Sequence, residues 1–507
     1  QIPARFWTSF GPFLHQPPLN AAVSTGGRLA AIYTVDMASL LDKGNEPTQP
    51  LEVVKICFRL LPWVLCPPVL VVIVAIMIDG YAKMYGSGND WVWLAGMGFV
   101  AGVALGAAPL TDLHVLLRGG LTQNTGVGVP LPYEGSRRCI YLDYNATSPI
   151  FPEVTREMLP FTGSCFGNPS SAHALGRKCK AAVDKARERM AVLLGCTPEE
   201  VVIVGSGSEA DNHAILAAVE LHAKSVPSTE GGPSRPKPHV VSSAVEHPAI
   251  TKCLDYLVSE GRVEVTYVGV DEEGRVSVEN VLAAFRPETA LVTIMHSNNE
   301  VGSLQPIKRI AAACRQQGIL CHTDAAQSVG KVAVKVQDLG VDMLTLVGHK
   351  FGAPKGVAAL FVRRGLVLPP LIHGGGQEAG RRAGTENVLL ISGMGKAAEV
   401  VHRELEQLSN HLAKMRERLL GHLLTAKLGT GVRVHGPKDA SLRLPNTLSV
   451  GVPGLKARIL LERLSETVAA SAGSACHAGG ATVSAVLQAM GVDKSTGLGT
   501  LRLSVGR

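Results

Sequence analysis

Aromatic side chains are scarce in this sequence, at 5% of residues, and charged ones reach only 18%. The formal net charge of +7 is mild for 507 residues, and no block of lysine and arginine interleaved with aromatics occurs. Composition therefore gives no support for nucleic-acid binding. The ten cysteines stand at 57, 66, 139, 165, 179, 196, 253, 314, 321 and 476, without a CxxC pair or a His/Cys cluster at zinc-finger spacing. No metal centre is expected, and most of the thiols read as small buried hydrophobes in a reducing compartment. The 55 glycines and 30 prolines follow no three-residue period, which excludes a collagen-like chain. Residues 1–40 lack the basic start, apolar run and small-residue cleavage site of a secretory signal. A chain that starts at Gln1 rather than methionine reads as a fragment or an uncertain gene model.

What the sequence does hold is apolar surface. Hydrophobic residues make up 46% of it, which excludes a mainly disordered chain, and the length suggests about three domains. Residues 1–55 carry no clear signal. Ile56 to Ile78 is apolar apart from Arg59, with Pro62, Pro67 and Pro68 inside it, and Trp91 to Leu110 carries no charge. About 20 such residues match one bilayer crossing, so 56–110 is a candidate transmembrane hairpin. Trp91 and Trp93 would form an interfacial belt. Lys43, Lys55, Arg59, Arg118, Arg137 and Arg138 flank the pair while the loop holds only Lys83, which would put both ends in the cytoplasm. A buried apolar hairpin, or a stretch foreign to the rest of the chain, reads the same pattern equally well. Residues 111–138 include the Gly/Pro-rich run 119–135 and read as a linker.

From Cys139 short β-branched runs alternate with helical stretches. Strands are expected at 201–204, 240–242, 263–268, 291–295, 320–322, 343–347 and 357–362, and helices from Ser208 and over 307–317. This predicts an α/β domain with a mainly parallel sheet over 139–395. A long helix over 396–427, with Leu405, Leu408, Leu412, Met415, Leu419 and Leu423 on one face, would open a smaller domain over 396–507. The polar segment SVPSTEGGPSRPKP (225–238) reads as a surface insertion.

Polar clusters follow the strands. VVIVGSGSEADN (201–212) is a strand, a small-residue turn and a helix start, where backbone N–H groups and the helix dipole favour an anion. His247 follows a strand in SSAVEHPAI (242–250), and Asn298, Asn299 and Glu300 follow one in IMHSNNEVG (294–302). Asp324 and Gln327 stand in CHTDAAQSVGK (321–331), and His349 and Lys350 in LTLVGHKFGAPKG (344–356). Each alone could be a cap or a surface group. Their recurrence at strand ends is where open α/β sheets bind ligands.

Together with YLDYNATSP (141–149), GNPSSAHALGR (167–177), GGGQEAGRRAGTEN (374–387), RLPNT (443–447), GSACH (473–477) and RLSVGR (502–507), these motifs resemble the NifS-like branch of the class-V aminotransferases. These are fold-type-I enzymes of pyridoxal 5'-phosphate (PLP) and include cysteine desulfurases and selenocysteine lyases. The resemblance covers about 139–507 and implies a large domain with a mainly parallel seven-stranded sheet plus a smaller α+β C-terminal domain.

It also implies roles. Lys350 would form the Schiff base with PLP, and Asp324 would pair with the pyridine nitrogen. His247 would stack on the ring and move protons. Gln327 and Asn299 would bond near the ring hydroxyl and the substrate. Gly207, Ser208 and His349 would hold the phosphate, and Thr385 would reach the phosphate of a partner subunit, making a homodimer. Arg502, with Asn299, would bind the substrate carboxylate, and Cys476 would attack sulfur or selenium to leave a persulfide. The expected reaction is release of L-alanine from L-selenocysteine or L-cysteine, in the cytoplasm, with an acceptor protein for the sulfur or selenium. If 56–110 is a membrane hairpin, the enzyme would be anchored with its catalytic domain cytoplasmic.

Two features depart from the family pattern. Val347 stands where desulfurases commonly have Ser, which leans towards selenocysteine lyase with cysteine desulfurase as the alternative. The chain stops directly after RLSVGR, where relatives usually continue into a further helix, so the small domain reads as truncated. Rival readings are another fold-type-I aminotransferase, which would not need Cys476, and a membrane protein with a degenerate scaffold. The sequon at Asn145 would go unused in a cytoplasmic enzyme.

Overall fold

A computed structural model of the chain describes residues 139–225, 236–426, 431–472 and 482–507. The expectations for 1–138, including the hairpin and the linker, lie outside the described residues, as do most of the 225–238 insertion and Cys476. Among the described residues no helix is long and apolar enough to cross a membrane.

A short strand β1 (Ile140–Tyr141) precedes β2 (Val201–Val204), β3 (His239–Ser243), β4 (Glu264–Val268), β5 (Thr289–Thr293), β6 (Leu320–Asp324), β7 (Met343–Val347) and β8 (Ala358–Val362). The seven from β2 to β8 form one sheet in the order β2-β8-β7-β6-β5-β3-β4. All its pairings are parallel except those of β8, which runs antiparallel to both neighbours. The mainly parallel seven-stranded sheet expected from the sequence is therefore present.

Both faces of the sheet are covered, which is why its strands read as continuous apolar runs. Val201 and Ile203 of β2 join a core with α1 (Ala174–Leu194), while Val202 and Val204 join a second core with α2 (Gly207–Ser225) and α3 (Pro248–Ser259). α4 (Ile307–Gln317) and the first turns of α5 (Val388–Thr425) add Ile310, Cys314, Ile391 and Met394 to the first core. α1 earns its place by spacing: Cys179, Val183, Ala186, Met190 and Leu194 are buried at i, i+3 and i+4 steps.

Two elements differ from expectation. β5 ends at Thr293 rather than Met295, because the Met295 N–H goes to the Glu246 carboxylate at 3.0 Å instead of to a neighbouring strand. α5 begins at Val388, ahead of residue 396. Asn387 Oδ1 caps it by accepting from Leu390 N at 3.2 Å, and the glycines at 393 and 395 hide the helical signal in sequence. The helix runs without a break through the position expected to divide the two domains.

Beyond it, β9 (Arg433–His435), β10 (Thr447–Gly451) and β12 (Thr500–Ser504) form an antiparallel sheet in the order β12-β10-β9. β1 pairs in parallel with β11 (Val468–Ala469), so the first described residues return to the C-terminal part.

Candidate active site

The sheet itself creates the crevice. From β3 the chain moves outward to β4, and from β5 it moves the other way to β6 and β7. Where successive crossovers part at the C-terminal ends of parallel strands, no loop fills the gap, and ligands bind there. His247 lies just past β3, Asn299 past β5, Asp324 ends β6, and His349 and Lys350 follow β7 directly. The sequence-predicted residues thus meet at one edge because parallel strands place their C-terminal ends side by side.

Lys350 Nζ donates to the backbone carbonyls of Asn145 at 2.7 Å and Ala146 at 2.9 Å. Asp324 Oδ1 accepts from Ala326 N at 2.9 Å. Burial pushes the Asp324 carboxyl up, opposed by the Ala326 N–H and by the charges of His247 and Lys350. Burial pushes His247 down, with Asp324 opposing and the Lys350 charge assisting. His247 also caps α3, its Nδ1 accepting from Ala249 N at 3.1 Å. That bond leaves Nε2 as the ring nitrogen available for chemistry. Burial and the neighbouring lysines, Lys350 foremost, bring His349 down to about 4, so its ring is neutral at pH 7, bonded through Nδ1 to Thr147 Oγ1 at 3.1 Å.

The start of α2 stands at the same edge. Ser206 Oγ accepts from Glu209 N at 3.1 Å, and the Glu209 carboxylate takes Gly205 N at 2.8 Å and Arg382 Nε at 2.7 Å. These bonds hold the turn so that the N–H groups of Gly207 and Ser208 face outward from a helix N-terminus. A Cβ on Gly207 would come within 2.5 Å of Val347 Cγ2, so the valine in place of the expected serine packs directly under this turn.

Arg502, on β12, arrives from the antiparallel sheet. Its Nη2 bonds Asp143 Oδ1 at 2.8 Å and Ser471 Oγ at 3.1 Å, and its Nη1 bonds Asn299 O at 3.3 Å. Its Nε is buried with no partner among the described residues. Asn299 therefore meets Arg502 through its backbone. Thr385 is not brought to this cluster by any described contact; it is exposed and lines a small cavity of about 200 Å³ with Gly205 and Arg382. A larger cleft of about 740 Å³ lies away from the chemistry, lined by Lys180, Arg187 and Glu378.

Several residues at the site gave no separate signal in sequence. Asn145 appeared only as a sequon, yet it is 1% exposed and bonds Thr447 Oγ1 at 2.8 Å, Asn299 O at 3.2 Å and Asn446 Nδ2 at 2.9 Å. A glycan has no access to it. Beneath Asp324 lies a buried polar layer. Glu246 is raised to about 8 by burial, Asp211 is raised by burial and by Asp324, and His322 is lowered to about 3 by burial. Lys331, 5% exposed, donates to Gln327 O and Oε1, both at 3.0 Å. The contacts of Asn145 and the burial of these groups leave no local pattern in sequence.

This arrangement matches known proteins over the same residues. The family model described as aminotransferase class-V matches residues 140–507. Cysteine desulfurase IscS of Clostridium botulinum is 41% identical over 368 residues, 72% of this chain and 89% of the relative. A cysteine desulfurase of Trichormus azollae is 41% identical over 73% of this chain and 88% of its own length. Among solved structures, a NifS-like protein aligns with a TM-score of 0.65 at 34% identity, covering 73% of this chain and 94% of the other. SspA in complex with cysteine aligns at 0.62 and 34%, covering 72% and 99%.

The chain belongs to the class-V aminotransferase family of PLP-dependent enzymes, and to its NifS-like branch. The residues present fit the cofactor. A buried carboxyl at the end of β6, with His247 and Lys350 near enough to act on its charge, suits a pyridinium nitrogen. A helix N-terminus closed tightly around a glycine suits a phosphate, and a half-buried lysine suits an imine bond.

Proposed function

We propose that the protein is a cysteine desulfurase that removes sulfur from L-cysteine and releases L-alanine. The observation that carries this reading is the convergence of Lys350, Asp324 and His247 on one sheet edge, with Arg502 joined to that edge through Asn299. The relatives favour cysteine over selenocysteine, the substrate that Val347 had suggested.

PLP, bound there, supplies the electron sink that makes the substrate Cα–H acidic. Asp324 keeps the pyridine nitrogen protonated. Lys350 would anchor the cofactor and, as the base, would hold the substrate's Cα proton on Nζ. Arg502 holds the substrate carboxylate with its planar fork, with Asn299 beside it. His247 would lie beside the ring and carry protons through Nε2. Gln327 would donate to the ring hydroxyl, and Gly207, Ser208 and His349 would hold the phosphate. Cys476 is assigned the attack on sulfur from its motif alone. Its thiolate would bond the substrate sulfur as the Cβ–S bond breaks; the electron pair stays with the three-carbon fragment, which gains a proton and leaves as alanine, and the persulfide sulfur remains on Cys476 for transfer to an acceptor protein.

Thr385, exposed on its loop, reaches a second copy's phosphate in a homodimer. The described cysteines are all free thiols, which supports a reducing, cytoplasmic setting for this domain.

The test is alanine release by purified protein under reducing conditions, given L-cysteine or L-selenocysteine. Release from cysteine is expected, with Lys350→Ala abolishing it and Cys476→Ser losing it. Alanine from Lys350→Ala overturns the catalytic assignment. Release from selenocysteine alone restores the lyase reading.

A further inference from the structure

Lys331 is a lysine where the fold has no evident use for a charge. It is 5% exposed, and among the described residues its hydrogen bonds go to Gln327 alone. An ammonium without a carboxylate partner is costly to bury. Here Lys350 and Arg502 add like charge, and burial with these neighbours brings the amine down to about 7. A methionine would fill the same space without that cost.

What the amine does is read from the amide it touches. Gln327 Nε2 lies 2.9 Å from the backbone carbonyl of Asn145, and Oε1 lies 3.0 Å from Lys331 Nζ. The Asn145 carbonyl only accepts, so its partner is the amide N–H; this leaves Oε1 facing the Lys331 amine, which can donate to it in either charge state. Turning the amide over would set oxygen against oxygen and nitrogen against nitrogen. The Asn145 carbonyl is the one that also receives Lys350 Nζ, so Lys331, Gln327, Asn145 and Lys350 form one continuous chain of bonds.

We propose that Lys331 is a positioning residue that holds the Gln327 amide in one orientation, so that the cofactor's ring hydroxyl meets an N–H donor rather than a carbonyl. This rests on the PLP reading above and on Gln327 as the neighbour of the ring hydroxyl. A donor at that oxygen favours its ionised form. The visible absorbance band of the bound cofactor then titrates at a lower pH than it would with a freely turning amide.

The experiment is a pH titration of that band in the holoenzyme. Lys331→Met is expected to raise the midpoint by about one pH unit. Lys331→Gln keeps a donor for Gln327 Oε1 without the charge and is expected to stay near the wild-type midpoint. In a Gln327→Met background, adding Lys331→Met is expected to move nothing further. An unmoved midpoint in Lys331→Met overturns the proposal. So does a shift of equal size in the Gln327→Met background, which would make Lys331 a simple charge. If Lys331→Met fails to fold, Lys331→Gln decides: a midpoint as high as that of Gln327→Met overturns the proposal, and one near wild type upholds it. Wild-type protein that forms no visible band with PLP overturns the cofactor reading itself, and this inference with it.

Discussion

Arg502 gives one edge of its guanidinium to Asp143 and Ser471 and keeps a buried Nε that has no partner among the described residues. Asp143 thereby sets the plane of the fork. Asp143→Asn keeps the shape and loses the charge-assisted bond, so KM for cysteine is expected to rise about tenfold with kcat changed little, read by steady-state kinetics. Glu246 makes a second residue-scale prediction. Its carboxyl sits near 8 in the fold and near 4.3 in an unfolded chain. Between those values the folded state holds a proton the unfolded state has lost, so stability falls as pH rises through that window, by at most about 1.4 kcal/mol per pH unit. Glu246→Gln is expected to flatten this slope in urea unfolding measured from about pH 5 to 8. A slope unchanged by the substitution would show that Glu246 is not its source.

At the scale of elements, one close approach decides how two helices sit and one ion pair holds a loop. α5 lies against α1 at Gly395, where a Cβ would meet the Ala186 backbone at 2.4 Å. Gly395→Val is expected to cost about 1–3 kcal/mol in denaturant unfolding, because neither helix backbone can yield. The loop 374–387, which carries Thr385, is tied down by Glu378. Its carboxylate takes Arg187 Nη1 at 2.7 Å, Arg187 Nη2 at 2.6 Å and the Ile203 N–H of edge strand β2 at 2.8 Å. The side chains are only 16% and 3% exposed, so solvent screens the pair little. Glu378 and Ala379 hold left-handed φ values of 52° and 56°, a strained turn that this bonding maintains. Glu378→Ala leaves the mostly buried Arg187 without its carboxylate partner, keeping only its bond to the Val201 carbonyl at 2.6 Å, and is expected to cost about 3 kcal/mol. If Thr385 serves a partner's site, the same variant also weakens PLP retention, measured by cofactor loss on dilution.

For the whole molecule, the parallel sheet and the C-terminal antiparallel sheet meet through Asn145, whose backbone N bonds Ser504 Oγ at 2.9 Å and whose side chain reaches Thr447 and Asn299. The first described segment thus joins Lys350 to the sheet that carries Arg502. The homodimer reading is checked by light scattering on a size-exclusion column, where about twice the chain mass is expected. Much of this was legible beforehand. β2 and β7 were read at their observed limits, since a strand buried on both faces needs an unbroken apolar run, and each polar cluster after such a run proved to sit at the sheet's C-terminal edge. By itself the sequence determined the family, the sheet and the place of Lys350 directly after a strand, because strand composition and short motifs are local. Only the tertiary structure decided that Asn145 is a buried junction, that Asp143 bonds Arg502, and that a buried Lys331 bonds Gln327. Those contacts join backbone carbonyls and side chains on separate elements, and desolvation, which sets their strength, exists only once the elements pack.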